Sequence, residues 1–136
     1  MDDLVQFLRA RLDEDEQTAR AATPGPWAVD GGSVYVGRPI NEVVDYSESA
    51  AHIARHDPAR VLAEVDAKRQ MLDIHAAMDS KGERITGCTT CSWRDYMDDL
   101  WVSWPCPTLR LMLIPYADHS DYRAEWAIQP PDPGGD

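Results

Sequence analysis

Three cysteines and four histidines are the side chains whose types and spacing could do chemistry in this chain. Cys88 and Cys91 are two residues apart, and Cys106 follows after fourteen more. A C-x2-C pair on a tight turn can hold two neighbouring corners of a tetrahedron around Zn²⁺, so three thiolates ask for a fourth ligand. Among His52, His56, His75 and His119, His75 is the best placed. It falls three residues after Leu72 on the apolar stripe of a predicted helix, near that helix's C-terminal end. The order His75-x12-Cys88-x2-Cys91-x14-Cys106 then describes a closed Cys₃His site. Four protein ligands leave no open corner for water or substrate, so such a site is structural. Cys106 stands at a predicted helix start, just before Pro107, where unpaired N–H groups and the positive dipole end favour a thiolate. His119, in a loop between acids, is the alternative fourth ligand.

Other chemistries fit less well. A thioredoxin-like redox pair at Cys88 and Cys91 would need a strand before it and a helix opening at the first cysteine. A glycine-bearing, turn-rich stretch precedes Cys88 instead. A zinc deaminase needs H-x-E and P-C-x-x-C, and no histidine here has a Glu two residues on. The "HIARH" of His52 to His56 has helical metal-pair spacing but lacks the Glu of a metalloprotease. It reads as a surface pair. There is no G-x-S-x-G, P-loop or G-x-G-x-x-G, so no catalytic residue is assigned.

The elements that must position these ligands can be read in outline. Leu4, Phe7, Leu8 and Leu12 predict an amphipathic helix over residues 3 to about 21, stopped by "TPGPW". "DGG" between residues 27–29 and 33–36 predicts a hairpin, with a third strand over 42–46. A short helix ends near His56, and Asp57-Pro58 starts a long one running to about Met78. "DSKGERITG" reads as turns. Beyond Cys106 comes a further helix, then a short one capped by Asp118, then a frayed, disordered tail over 129–136. The expected fold is a small α+β domain over 1–128, its C-terminal part stapled by structural Zn²⁺.

Bulk composition narrows the class. The 136 residues carry a net charge of −11, which argues against direct nucleic-acid binding. Asp13, Glu14, Asp15 and Glu16 form a dense patch that reads as a solvated helix face. Its sharper reading is an acidic DNA mimic that inhibits a nucleic-acid-binding protein. No run approaches a membrane span, and the acidic start does not resemble a signal peptide, so the expected location is cytoplasmic. Reduced thiols there lean towards metal. Of five tryptophans, Trp93, Trp101 and Trp104 bracket the cysteines, either as a lid around the metal or as an aromatic protein-binding patch.

At "ATPGPW", "AAHIARHDPARVLAEVDAKRQMLDIH" and "WPCPTLRLMLIPYADHSDYRAEW" the chain resembles an uncharacterised actinobacterial domain family, chiefly of Streptomyces with relatives in their phages. The resemblance runs from the N-terminus to Trp126 and implies His75, Cys88, Cys91 and Cys106 as equivalent positions. It implies no activity. It also implies that "SWRDYMDDLWVS" is the variable part, whose tryptophans are not expected to be functional. The expectation is therefore a non-enzymatic, acidic zinc-binding module with a protein partner, against a thiol redox protein or enzyme using Cys88 and Cys91.

Overall fold

The computed structural model describes residues 3–37, 41–79, 86–94 and 96–128. Residues 80–85 of the expected turn segment 79–87 lie outside them, as does the 129–136 tail. Among the described residues the elements are α+β in class, with four α-helices and a three-stranded antiparallel sheet accompanied by two short hairpins. The chain forms two compact units, one of Ala10–Lys68 and one of Met1–Arg9 with Arg69–Asp136. Helices α1 (Asp3–Ala21) and α3 (Pro58–Ile74) each run from one unit into the other.

In the Ala10–Lys68 unit, β1 (Ala28–Asp30), β2 (Ser33–Val36) and β3 (Asn41–Val44) form a meander with β2 in the centre. Asp30 pairs with Ser33 across Gly31 and Gly32, whose φ values of 59° and 84° are those a two-residue primed turn requires. The ring of Tyr46 lies so close to Gly32 that a Cβ there would meet Cε2 at 2.7 Å. Val34 is wholly buried, and α2 (Ala50–Arg55) packs on β1 and β2 through buried Ala50. Asp57 starts α3 as the sequence predicts. Its carboxylate accepts the Arg60 N–H at 3.0 Å, as an N-cap does, and the Trp27 N–H at 3.1 Å. A cavity of about 250 Å³ lies between Ala19, Trp27, His56 and Val61.

The other unit is built from smaller pieces. After α3 the chain makes β4 (Ala77–Asp79) and β5 (Thr86–Cys88), an antiparallel hairpin. The long helix thus ends at Ile74, short of the expected Met78, because Ala77 and Met78 pair with Cys88 and Gly87 instead. A second hairpin follows, β6 (Trp93–Arg94) with β7 (Asp99–Leu100). Then comes α4 (Pro107–Met112), with Cys106 as its N-cap residue. Leu109 and Leu113 are fully buried. The helix expected after Asp118 is replaced by a single 3₁₀ turn at Ala124–Trp126. Phe7 meets the rings of His119, Tyr122 and Trp126 at 5.1–6.2 Å, and Arg123 pairs with Asp3 at 2.8 Å. Arg110 ties that turn down by donating to the carbonyls of Glu125 and Trp126.

Candidate metal centre

His75 is the first residue beyond α3, and its N–H still donates to the Met71 carbonyl, so the helix end fixes its backbone. Cys88 ends β5, where its N–H donates to the Val102 carbonyl at 2.8 Å. Trp104 N–H donates to the Thr86 carbonyl at 2.9 Å, on either side of a Gly87–Ser103 bridge. With β4 on its other side, β5 is paired along both edges. A Cβ on Gly87 would come within 2.5 Å of Trp101 Cζ2, so only glycine lets that indole lie on the strand. Residues 89–91 turn the chain so that Cys91 faces Cys88.

The ligand atoms of His75, Cys88, Cys91 and Cys106 all lie within 4.8 Å of one another. His75 Nδ1 is 3.4 Å from Cys88 Sγ, 3.4 Å from Cys91 Sγ and 3.5 Å from Cys106 Sγ. One ring nitrogen carries at most one proton and cannot serve three sulfurs as a donor. Equal separation is instead what a shared ion imposes. For zinc's bond lengths the nitrogen–sulfur edge of a tetrahedron is about 3.6 Å. The residues fit. All three cysteines are free thiols, with Cys88, Cys106 and His75 buried and Cys91 half-buried.

Electrostatics point the same way. Burial works against ionising Cys88, yet the Cys91 and Thr90 N–H groups and the neighbouring thiols outweigh it and hold its thiol below the usual range. Burial, together with the sulfurs of Cys88 and Cys106, pushes Cys91 up to about 11. Like charges brought this close repel one another, and a dication between them would offset that repulsion.

The structure brings together the four side chains that the sequence singled out. His119 lies outside the cluster, against Phe7, with Nδ1 accepting the Asp121 N–H at 3.0 Å. His52 and His56 stack on each other, rings 4.3 Å apart, and also lie outside it. The supporting polar groups went unforeseen. Thr89 and Thr90 hydroxyls both donate to the Ile74 carbonyl, and the Trp104 indole N–H donates to the His75 carbonyl at 2.9 Å. The signals for them were the Thr-Thr inside the cysteine turn and the tryptophan two residues before Cys106. The expected turn before Cys88 is a strand, so that part of the case against a redox pair is corrected; no helix opens at Cys88, which leaves the rest standing.

The sequence model of one protein family matches residues 1–128, spanning both compact units. The chain belongs to DUF6221, a family of unknown function. No curated protein and no solved structure matches it. Among the described residues of this DUF6221 chain, the His/Cys₃ group is the cluster able to hold a metal, and no helix is long and apolar enough to cross a membrane.

Proposed function

We propose that this protein binds one structural Zn²⁺ through His75, Cys88, Cys91 and Cys106 and serves as a non-enzymatic accessory module. The observation that carries this is the equal distance of His75 Nδ1 from three sulfurs. Zinc suits the donor set: thiolates and imidazole at tetrahedral corners are its usual structural ligands. Four protein ligands fill those corners, which argues for support of the fold over Lewis-acid catalysis. The ion would tie the end of α3 to the start of α4 through the β5 turn. A reducing compartment such as the cytoplasm would keep the three thiols available.

The test is metal analysis of protein purified without added zinc. One equivalent of zinc is expected, with proton release when chelated protein is reloaded. Cys106→Ser and His75→Ala should each lose tight binding. A metal-free protein carrying a reversible Cys88–Cys91 disulfide would overturn the proposal in favour of thiol redox chemistry. Full affinity in His75→Ala would overturn the assigned fourth ligand.

A further inference from the structure

The four side chains of the metal centre are unequally sheltered. Cys88 and Cys106 are 0% exposed and His75 is 8% exposed, whereas Cys91 is half-buried. Thr89 and Thr90, which lead into Cys91, are exposed. A small oxidant arriving from solvent therefore meets one sulfur of the three first. Access and thiolate character decide which cysteine is oxidised. Metal ligation keeps cysteine in the thiolate form, and its place on the turn leaves Cys91 the access. All three sulfurs lie within 4.8 Å of one another, so distance alone does not choose the second. The backbone does. Ser92 N–H donates to the Cys88 carbonyl at 3.0 Å, so one closed turn carries both Cys88 and Cys91. Thr89 and Thr90 hydroxyls hold that turn on the Ile74 carbonyl. Cys106 is anchored separately: it opens α4, and its carbonyl accepts the Arg110 N–H at 3.2 Å. Joining Cys91 to Cys88 needs movement within one turn, and joining it to Cys106 needs movement between two anchored segments.

We infer that the metal centre is a peroxide-sensitive switch, which releases its zinc when Cys91 is oxidised and Cys88 closes a disulfide onto it. The inference rests on the zinc reading above. Peroxide gives one oxygen to the Cys91 thiolate; its O–O bond breaks, leaving a sulfenic acid and a hydroxide ion. The Cys88 thiolate then attacks that sulfur, the S–O bond breaks, and a second hydroxide departs. Two electrons pass from the two sulfurs to the peroxide, and one disulfide forms. His75 and Cys106 remain, two ligands where a structural zinc site has four. The ion leaves, and with it the link between the end of α3 and the start of α4.

The experiment takes the full chain, purified under reductant and loaded with zinc, and adds hydrogen peroxide. Zinc release is read with a chromogenic chelator, and disulfides are mapped by peptide mass spectrometry. Release of the zinc together with a Cys88–Cys91 disulfide is expected, and dithiothreitol with fresh zinc should restore the loaded protein. Before any oxidant, iodoacetamide should label Cys91 ahead of Cys88 and Cys106. Cys91→His keeps four ligands of the kinds zinc accepts and should hold its zinc against peroxide, whereas Cys106→His should still release it. Release without a disulfide, a bridge to Cys106, or equal labelling of the three cysteines would overturn the inference. So would a Cys91→His protein that loses zinc as fast as the parent. If a histidine variant takes up no zinc, the labelling order and the bridge in the parent chain decide. Loaded protein that keeps its zinc in peroxide overturns this inference and leaves the metal centre intact. Reduced protein that takes up no zinc overturns the zinc reading itself.

Discussion

The Ala10–Lys68 unit and the unit that holds the cysteines solve the same problem by different means. The first uses a three-stranded meander with a buried Val34, a glycine turn that matches strand twist, and a carboxylate cap on α3. Each of those devices works through local geometry or burial. The second has strands of two or three residues and a six-residue helix, none long enough to persist alone. There, four side chains converge on one point, and backbone hydrogen bonds radiate from them to Met71, Val102 and Arg110. Where the chain is too short to bury much apolar surface, metal–ligand bonds can take over the task of fixing it.

Removing the proposed zinc should break that contrast most severely. Structural zinc sites contribute apparent binding free energies of about 10–16 kcal/mol, comparable to or above the roughly 5–15 kcal/mol of a whole domain. With chelator, amide protection in β4, β5 and 102–104 should vanish while that of β2 persists, as read by hydrogen exchange; loss of both together would show that the two regions do not differ in this way. Asp57→Ala tests the other side. Losing the cap costs about 1–2 kcal/mol, and stranding the Trp27 N–H adds about 1–3 kcal/mol. Denaturant unfolding should register that loss with the zinc content unchanged. Gly87→Ala forces Trp101 off β5, with a cost of about 1–3 kcal/mol, and should shift tryptophan emission before any metal is lost. Smallest is the Arg60–Glu64 pair, joined at 2.9 Å and half-exposed on both sides. The hydrogen bond from Arg60 holds the Glu64 carboxyl below its usual range. Its stabilisation is therefore present above the ordinary carboxylate pKa and lost as pH falls through the lowered one. Only a few tenths of a kcal/mol are at stake, and Glu64→Gln should remove that acid-side slope.

The same contrast explains what could be read in advance. The α1 bounds, the Asp30–Ser33 turn and the Asp57–Pro58 start follow from short-range rules, and the structure places them as expected. The grouping of His75 with the three cysteines was legible because cysteines are few and their spacing is informative. β4, β5 and the strand-like 102–104 were not. Ala77–Met78 continues a helical pattern, and Thr86–Gly87 reads as a turn; both become strand only through pairing with each other and with residues fifteen or so positions on. Nothing within either segment encodes that pairing. The last helix failed for the opposite reason: a plausible cap at Asp118 was outweighed by Trp126 packing onto Phe7 and by Arg110 holding its carbonyl.

The double pairing of β5 bears on how the protein behaves in a crowded solution. A strand bonded on both flanks offers no open ladder to a neighbouring molecule, so the cysteine-bearing segment cannot seed intermolecular sheet growth. Should β4 and residues 102–104 let go when zinc leaves, two ladders would open at once beside exposed tryptophans. If zinc fills the site as proposed, metal-starved chains are then expected to precipitate or be degraded, and zinc supply would set how much of this protein persists.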